Sequence, residues 1–362
     1  DQGLGSKVRP IIFPAPATRR HQQRNQSKSN HLGKGEATMV KAIQFHKAGR
    51  PSVIKWEDVK LGKPKKGQAQ VRHTAIGLNY IDTYHRGGLY PLPMPSGLGT
   101  EGAGVVEAVG PGVKHVKAGD RVAYAGGTPG AYSEARNMDA GILVKIPRGI
   151  SDEAAAAMML KGMTVEYLVR RTYPVKKGQT VLFHAAAGGV GLIAGQWLNA
   201  LGVRAIGTAG SPAKVKLAKA HGYAEVIDYN KKDFVKEVAR LTNKEGVPVV
   251  YDSIGKSTWD GSLDCLQPRG YMVSFGNASG AVDSFAPGIL AAKGSLFLTR
   301  PSLLAYNSTR KELEASSKAL FAMVKSGKIK IEINQTYALK DAKQAHIDLE
   351  ARKTTGSTIL IP

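Results

Sequence analysis

Two periodicities divide the chain from residue 39 onward. In the first part, apolar and polar positions alternate in short runs at 40–45, 69–78, 102–109, 121–125, 131–135 and 142–146, separated by Gly, Pro and Asp. Period-two alternation at this spacing predicts the short strands of a partly open β-barrel. Ser151-Asp152-Glu153 then reads as a helix N-cap with acids in the first turn, ahead of the alanine-rich stretch 154–160. After Pro174 the pattern changes. Strands are predicted at 180–186, 204–208, 225–228, 248–252, 271–276 and 295–299, with helices between most of them, such as 213–220 and 234–241. Strands joined by helical crossovers imply a doubly wound parallel sheet. The tail predicts helices at 310–326 and 341–351 and a last strand at 357–361. That strand has no place in the parallel sheet and is expected to return to the first half. The expected fold is therefore α/β. Residues 39–163 and 303–362 form a discontinuous β domain, and 164–302 form a nucleotide-binding domain.

The apolar run Val181-Leu182-Phe183 leads into Ala186-Ala187-Gly188-Gly189-Val190-Gly191, and then into a helical stretch stopped at Gly202. Strand, glycine turn and helix together present backbone N–H groups and a helix N-terminus to a pyrophosphate. Alanine stands where the G-x-G-x-x-G fingerprint has its first glycine. Gly188 permits close approach of the backbone to the ligand, and Gly191 permits tight helix-to-strand packing. The candidate pyrophosphate contacts are Ala187, Gly188, Gly189, Val190 and Gly191.

The end of the second parallel strand bears on which dinucleotide binds. An NAD site usually places an acid there, about 20 residues past the glycines, for the ribose hydroxyls. This chain reads Thr208-Ala209-Gly210-Ser211-Pro212-Ala213-Lys214, with no acid. Gly210 leaves room for a 2′-phosphate, and Ser211 and Lys214 offer it a hydroxyl and a charge. The cofactor expected is NADPH.

Composition narrows the class. With 362 residues and 42% hydrophobic content, the chain can build two cores, and no apolar run is long enough to span a bilayer. The only cysteine is Cys265, so neither an internal disulfide nor a cysteine-based zinc cluster can form. A cytoplasmic location is expected. The formal charge is +23, of which residues 1–38 carry +5. That segment lacks a hydrophobic period and reads as a disordered basic leader outside the fold, an upstream extension or an organelle transit peptide. The other lysines are scattered and lack interleaved aromatics. They read as a solvated surface, with nucleic acid a secondary partner.

Two further segments carry a resemblance: Gly77-Leu78-Asn79-Tyr80-Ile81-Asp82-Thr83-Tyr84 and Leu98-Gly99-Thr100-Glu101. Joined to the glycine turn, to Val250-Tyr251-Asp252-Ser253-Ile254-Gly255, to Ser274-Phe275-Gly276-Asn277 and to Thr299-Arg300-Pro301-Ser302, they make the chain resemble the medium-chain dehydrogenase/reductase superfamily from Met39 to Pro362. In the alcohol dehydrogenase branch a cysteine and a histidine in the first two segments ligate a catalytic zinc. Asn79 and Thr100 stand there in this chain, and neither residue type is a zinc ligand. The zinc-free NADPH:quinone oxidoreductase group, related to zeta-crystallin, is the one this chain is most similar to. The resemblance implies a GroES-like catalytic domain, a Rossmann domain, a homodimer and a quinone acceptor. It also implies that Lys214, Tyr229 and Arg352 meet the 2′-phosphate. Ser253, Phe275, Gly276, Asn277 and Arg300, at the carboxyl ends of later strands, are further candidate cofactor contacts.

Hydride arrival places negative charge on the acceptor oxygen, so hydrogen-bond donors aimed at it are required. Tyr84 and Asn79 are the candidates, and Thr164, read as beginning a segment next to the crossover into the nucleotide domain, is the candidate contact at the nicotinamide end. Asp82 is expected to orient the loop, Glu101 to be a buried structural acid, His184 a satisfied core histidine and Cys265 an inert thiol. Two other functions remain open: reduction of an α,β-unsaturated carbonyl such as a 2-alkenal, and binding of single-stranded RNA.

Overall fold

The structure is a computed structural model that describes residues 38–362. Apart from Thr38, the expected leader lies outside the described residues. Thr38 itself opens the first strand, so the leader reading overshoots by one position.

The first half contains β1 (Thr38–Phe45), β2 (Lys55–Leu61), β3 (Gln68–Leu78), helix α1 (Tyr80–Gly87), β4 (Ser96–Gly97) and β5 (Glu101–Val109). Then come β6 (Arg121–Ala125), β7 (Ala135–Asp139), β8 (Val144–Lys145) and helix α2 (Asp152–Tyr167). The predicted strand at 131–135 is displaced to β7. Gly126, Gly127 and Gly130 all have positive φ, and Ala131 and Tyr132 instead donate backbone N–H bonds to Gly99 and Leu98. The strand predicted at 142–146 shrinks to β8, because the Asp139 carboxylate accepts from Gly141 N–H at 2.8 Å and caps a tight turn over Ala140–Ile142. Helix α2 starts as read, with the Ser151 hydroxyl accepting from Ala154 N–H at 3.1 Å.

The second half alternates: β9 (Thr180–Phe183), α3 (Gly189–Ala200), β10 (Arg204–Ala209), α4 (Pro212–Lys219), β11 (Glu225–Asp228) and α5 (Phe234–Leu241). It continues with β12 (Val247–Asp252), α6 (Trp259–Asp264), β13 (Leu266–Ser274), α7 (Gly288–Ala292) and β14 (Phe297–Thr299). The tail holds α8 (Leu303–Tyr306), α9 (Arg310–Lys325), β15 (Ile333–Ala338), α10 (Ala342–Glu350) and β16 (Ser357–Ile361).

The six parallel strands run in the order β11-β10-β9-β12-β13-β14. This is the doubly wound order, and its switch point lies between β9 and β12. Alternate residues of each strand face opposite layers. Val181 and Phe183 pack with Ile193 and Trp197 of α3 and Met163 of α2, while Leu182 packs with Trp259 and Leu263 of α6. The β-rich part has the order β15-β16-β3-β5-β6-β8, antiparallel except for the parallel β15–β16 pair, with β7 also on β3, beside a three-stranded sheet β2-β1-β4. As expected, the last strand returns to the first half: β16 pairs antiparallel with β3. Among the described residues, no helix is long and apolar enough to cross a membrane.

Candidate functional site

The glycine turn lies at the carboxyl end of β9, beside the switch point. Gly188 is the N-cap of α3, with extended backbone (φ −78°, ψ 170°), and Ala185 is held at φ 55°. A Cβ on Gly188 would meet only the Ala185 carbonyl, at 3.3 Å, so this face of the turn is open. A Cβ on Gly191 would overlap the backbone of Ala185 and Ala186, which fits the close packing read from the sequence. Gly189 is closed by a group the sequence did not flag: a Cβ there would come within 2.7 Å of the Lys161 side chain. Gly356, just before β16, donates its N–H to Ala187 O at 3.0 Å. Open N–H groups at a helix N-terminus fit a pyrophosphate.

The four residues expected at the 2′-phosphate converge around the turn after β10. Ser211 caps α4 by accepting from Lys214 N–H at 3.3 Å. Lys214 Nζ donates to the Arg352 carbonyl at 2.6 Å. The Tyr229 ring, exposed, lies where a Cβ on Gly210 would fall. Partial burial, and then the Arg352 charge, hold the Lys214 ammonium below its ordinary pKa. Two cations drawn together at a small-residue turn suit a phosphate dianion.

The remaining loops also lie at carboxyl ends of parallel strands. A Cβ on Gly276 would approach Ser253 Cα to 2.8 Å, so only glycine lets these loops touch. Phe275 N–H donates to Asp252 O at 2.8 Å. Arg300 Nη1 donates to Gly276 O at 2.9 Å and to Ser274 Oγ at 3.1 Å. With its oxygen turned to Arg300, the Asn277 amide accepts from Nη2 at 3.0 Å and donates to Gly276 O at 2.9 Å.

Helix α1 meets these loops from the other half. It is a helix that the alternation pattern missed. Its signal was the Asn79-x-x-Asp82 spacing: Asp82 Oδ2 accepts from Asn79 N–H at 2.9 Å, and Gly88 ends the helix at φ 86°. Tyr84 Oη accepts from Asn277 N–H at 2.8 Å, and Tyr80 Oη donates to Ala278 O at 3.1 Å. The Tyr84 proton therefore stays available for another acceptor. Burial raises the Tyr84 hydroxyl pKa well above its usual value, so it remains a neutral donor at every working pH. Tyr90, not singled out in the sequence, stands edge-on to Tyr84 at 5.4 Å, with its hydroxyl 3.4 Å from Arg300.

Asn79 is placed differently from the expectation. It is buried, and its amide donates to Glu101 Oε2 at 2.7 Å. Glu101 also accepts from Leu160 N–H at 2.7 Å and pairs with Lys161 Nζ at 3.2 Å. Gly77, opposite Glu101 in the β3–β5 register, makes room for that carboxylate. Asn79 thus links α1 to a buried ion pair. Glu101 is fully buried and fully bonded, as a structural acid should be. Thr164 does not begin a new segment. It sits buried inside α2, one turn before Tyr167, because α2 runs past the predicted 160. His184 is satisfied by Thr208 at 2.9 Å and Ser262 at 3.0 Å. Burial pushes the Cys265 thiol up to about 12, which keeps it unreactive. Among the described residues, no three His, Cys, Asp or Glu side chains are grouped as metal ligands.

Comparison with known proteins agrees with this geometry. Residues 65–148 match the family described as alcohol dehydrogenase GroES-like domain, and residues 189–316 match zinc-binding dehydrogenase. A quinone oxidoreductase of Pseudomonas aeruginosa is 54% identical over 325 residues, covering 90% of this chain and all of that protein. The chain belongs to the quinone oxidoreductase group of the medium-chain dehydrogenase/reductase superfamily. The crystal structure of Escherichia coli quinone oxidoreductase complexed with NADPH superimposes with a TM-score of 0.88 at 53% identity, covering 89% of this chain and 100% of that one. A 2-haloacrylate reductase of Burkholderia sp. is 44% identical over 90% of this chain and 99% of that protein. The GroES-like and Rossmann halves expected from the sequence are both present.

Proposed function

We propose that the protein is an NADPH-dependent quinone reductase that works without a metal. The carrying observation is that Tyr84 of the GroES-like half hydrogen-bonds Asn277 of the Rossmann half. A hydroxyl donor is thereby fixed at the mouth of the nucleotide crevice. Bound NADPH would supply a hydride. Gly188 and the α3 N-terminus would hold its pyrophosphate, with Ala187, Gly189, Val190 and Gly191 shaping the turn. Gly210, Ser211, Lys214, Tyr229 and Arg352 would hold the 2′-phosphate. Ser253, Phe275, Gly276, Asn277 and Arg300 would line the path between them.

Tyr84 would donate to the quinone oxygen as charge builds there, in a site where a pre-oriented donor costs no reorganisation. Asn79 is a positioning residue in this reading: with its amide taken by Glu101, it sets the start of the helix that aims Tyr84. Thr164 would support the nicotinamide end through α2. An amide and a hydroxyl at positions 79 and 100 offer zinc no ligand of the usual kind, which supports the metal-free reading. Residues 39–163 with 303–362 would then form the catalytic domain, and 164–302 the cofactor domain. The protein would act in the cytoplasm as a homodimer. An exposed Phe297 on the edge strand β14, stacked on Tyr271 at 4.7 Å, supports self-association there.

The likeness to a 2-haloacrylate reductase favours one second reading, reduction of an activated alkene. Oxidation of NADPH measured with naphthoquinones, 2-alkenals and 2-haloacrylates separates the two. The quinone reading requires the quinones to give the highest kcat/KM, and faster turnover of an alkenal or haloacrylate rejects it.

A further inference from the structure

Helix α1 is fastened from behind by the C-terminal helix α10. The buried Arg86 guanidinium donates to both Glu350 carboxylate oxygens, at 2.7 and 3.0 Å. It also lies 2.9 Å from His346 Nδ1, and its Nε donates to Gly49 O at 3.0 Å. His346 Nε2 lies 3.3 Å from the Tyr132 hydroxyl, which donates to Asp82 Oδ2 at 2.8 Å. The acid in the first turn of α1 and the arginine in its last turn thus belong to one buried network.

Two residues beyond Glu350 stands Arg352, at φ 58°, whose carbonyl is held by Lys214. Glu350 and Arg352 both act electrostatically on Tyr80 of α1, with opposite sign. The same short segment therefore reaches the 2′-phosphate cluster with one residue and the Tyr84 helix with another. Neither Arg86 nor Glu350 shares a hydrogen bond with Tyr84, Asn277 or Arg300, so the pair has no chemical part to play at the reacting atoms.

We propose that Glu350 is a positioning residue that couples the adenosine-phosphate site to catalysis. Its two-pronged grip on Arg86 makes α1 follow the segment bearing Arg352. Engagement of the 2′-phosphate by Lys214 and Arg352 then steadies α1 and sets Tyr84. The coupling rests on the NADPH reading above. It gives the phosphate a second role: it contributes to turnover as well as to affinity.

The test uses the full chain and adenosine 2′,5′-bisphosphate, which carries the phosphate but no nicotinamide. Hydrogen–deuterium exchange is followed in the peptides covering 80–87, 211–217 and 346–352. Binding is expected to slow exchange in all three for the wild type, and in Glu350→Gln to slow it at 211–217 while α1 no longer responds. In steady-state assays Glu350→Gln is expected to lose about tenfold in kcat with NADPH, while KM moves less than about threefold. Arg86→Lys, which keeps the charge but not the fork, should behave the same way if Glu350→Gln folds poorly. Protection at 211–217 with no change at 80–87 in the wild type overturns the coupling, as does full α1 protection in both variants. No protection anywhere, with no heat of binding, overturns the NADPH reading itself.

Discussion

The two sides of the cleft are built from different materials. The nucleotide side uses backbone: a glycine turn, a helix N-terminus, and strand ends that can touch because Gly276 lacks a side chain. The opposite side uses side chains, all of them buried except Glu350 at the surface. Asn79, Glu101 and Lys161 form one bonded group, while Asp82, Tyr132, His346, Arg86 and Glu350 form another. Backbone sites are encoded locally, by a few small residues in a row. Side-chain networks are encoded by residues far apart in the chain, such as Glu101 and Lys161 or Arg86 and Glu350.

This difference predicts unequal responses to substitution. The largest is expected at Glu101. Glu101→Gln leaves the Lys161 ammonium buried without its counter-charge, and stability should fall by about 3–5 kcal/mol in urea unfolding. Adding Lys161→Met should restore most of it. A loss under about 1 kcal/mol for Glu101→Gln alone would mean that the pair is solvated and the side-chain half less buried than described. Next is Gly191→Ala on the backbone side. Its methyl would overlap the Ala185 and Ala186 backbone, with a cost of about 1–3 kcal/mol and weakened NADPH binding by fluorescence titration. Unchanged affinity would show that the turn has slack.

A pH-dependent effect tests the electrostatics of the network. Burial pushes the Asp82 carboxyl up to about 7 against the pull of Asn79 N–H, the Tyr132 hydroxyl and Lys161, with Glu101 adding to the rise. The folded state therefore holds this proton where the unfolded chain has lost it. The stability it brings is full below the ordinary value of 3.8 and is lost as pH rises through about 7. Asp82→Asn cannot titrate, so its stability relative to wild type should climb between those two values. A pH-independent difference would show that the acid is ionised throughout.

The same contrast explains what the sequence disclosed. The strand-and-helix order of the Rossmann half was legible, with β11 and α5 matching their predicted limits, while β9 stops at Phe183 short of the predicted 186 and β13 starts at Leu266 ahead of the predicted 271. Buried parallel strands and capped helices carry local signals. The proposed cofactor contacts after β10 also rest on local facts, a missing acid and a lysine. Helix α1 was not, since its aromatic and β-branched residues hide a helix whose only marks are a capping pair and a glycine. Lys161 was missed, although a lone charge within Ala154–Met163 was visible. What it pairs with depends on β5 and on the β3 glycine opposite. Tyr90 and Glu350 had no local signal, because their partners lie on other elements.

The central claim is that the cluster around Gly210 reads a 2′-phosphate, and one ratio tests it most directly: kcat/KM for NADPH over that for NADH with a single quinone. Charge-assisted contacts to one phosphate predict a preference on the order of 10–100-fold for NADPH, reduced about tenfold in Lys214→Met. Equal use of the two cofactors, or a preference for NADH, would contradict the assignment of Ser211, Lys214, Tyr229 and Arg352 together.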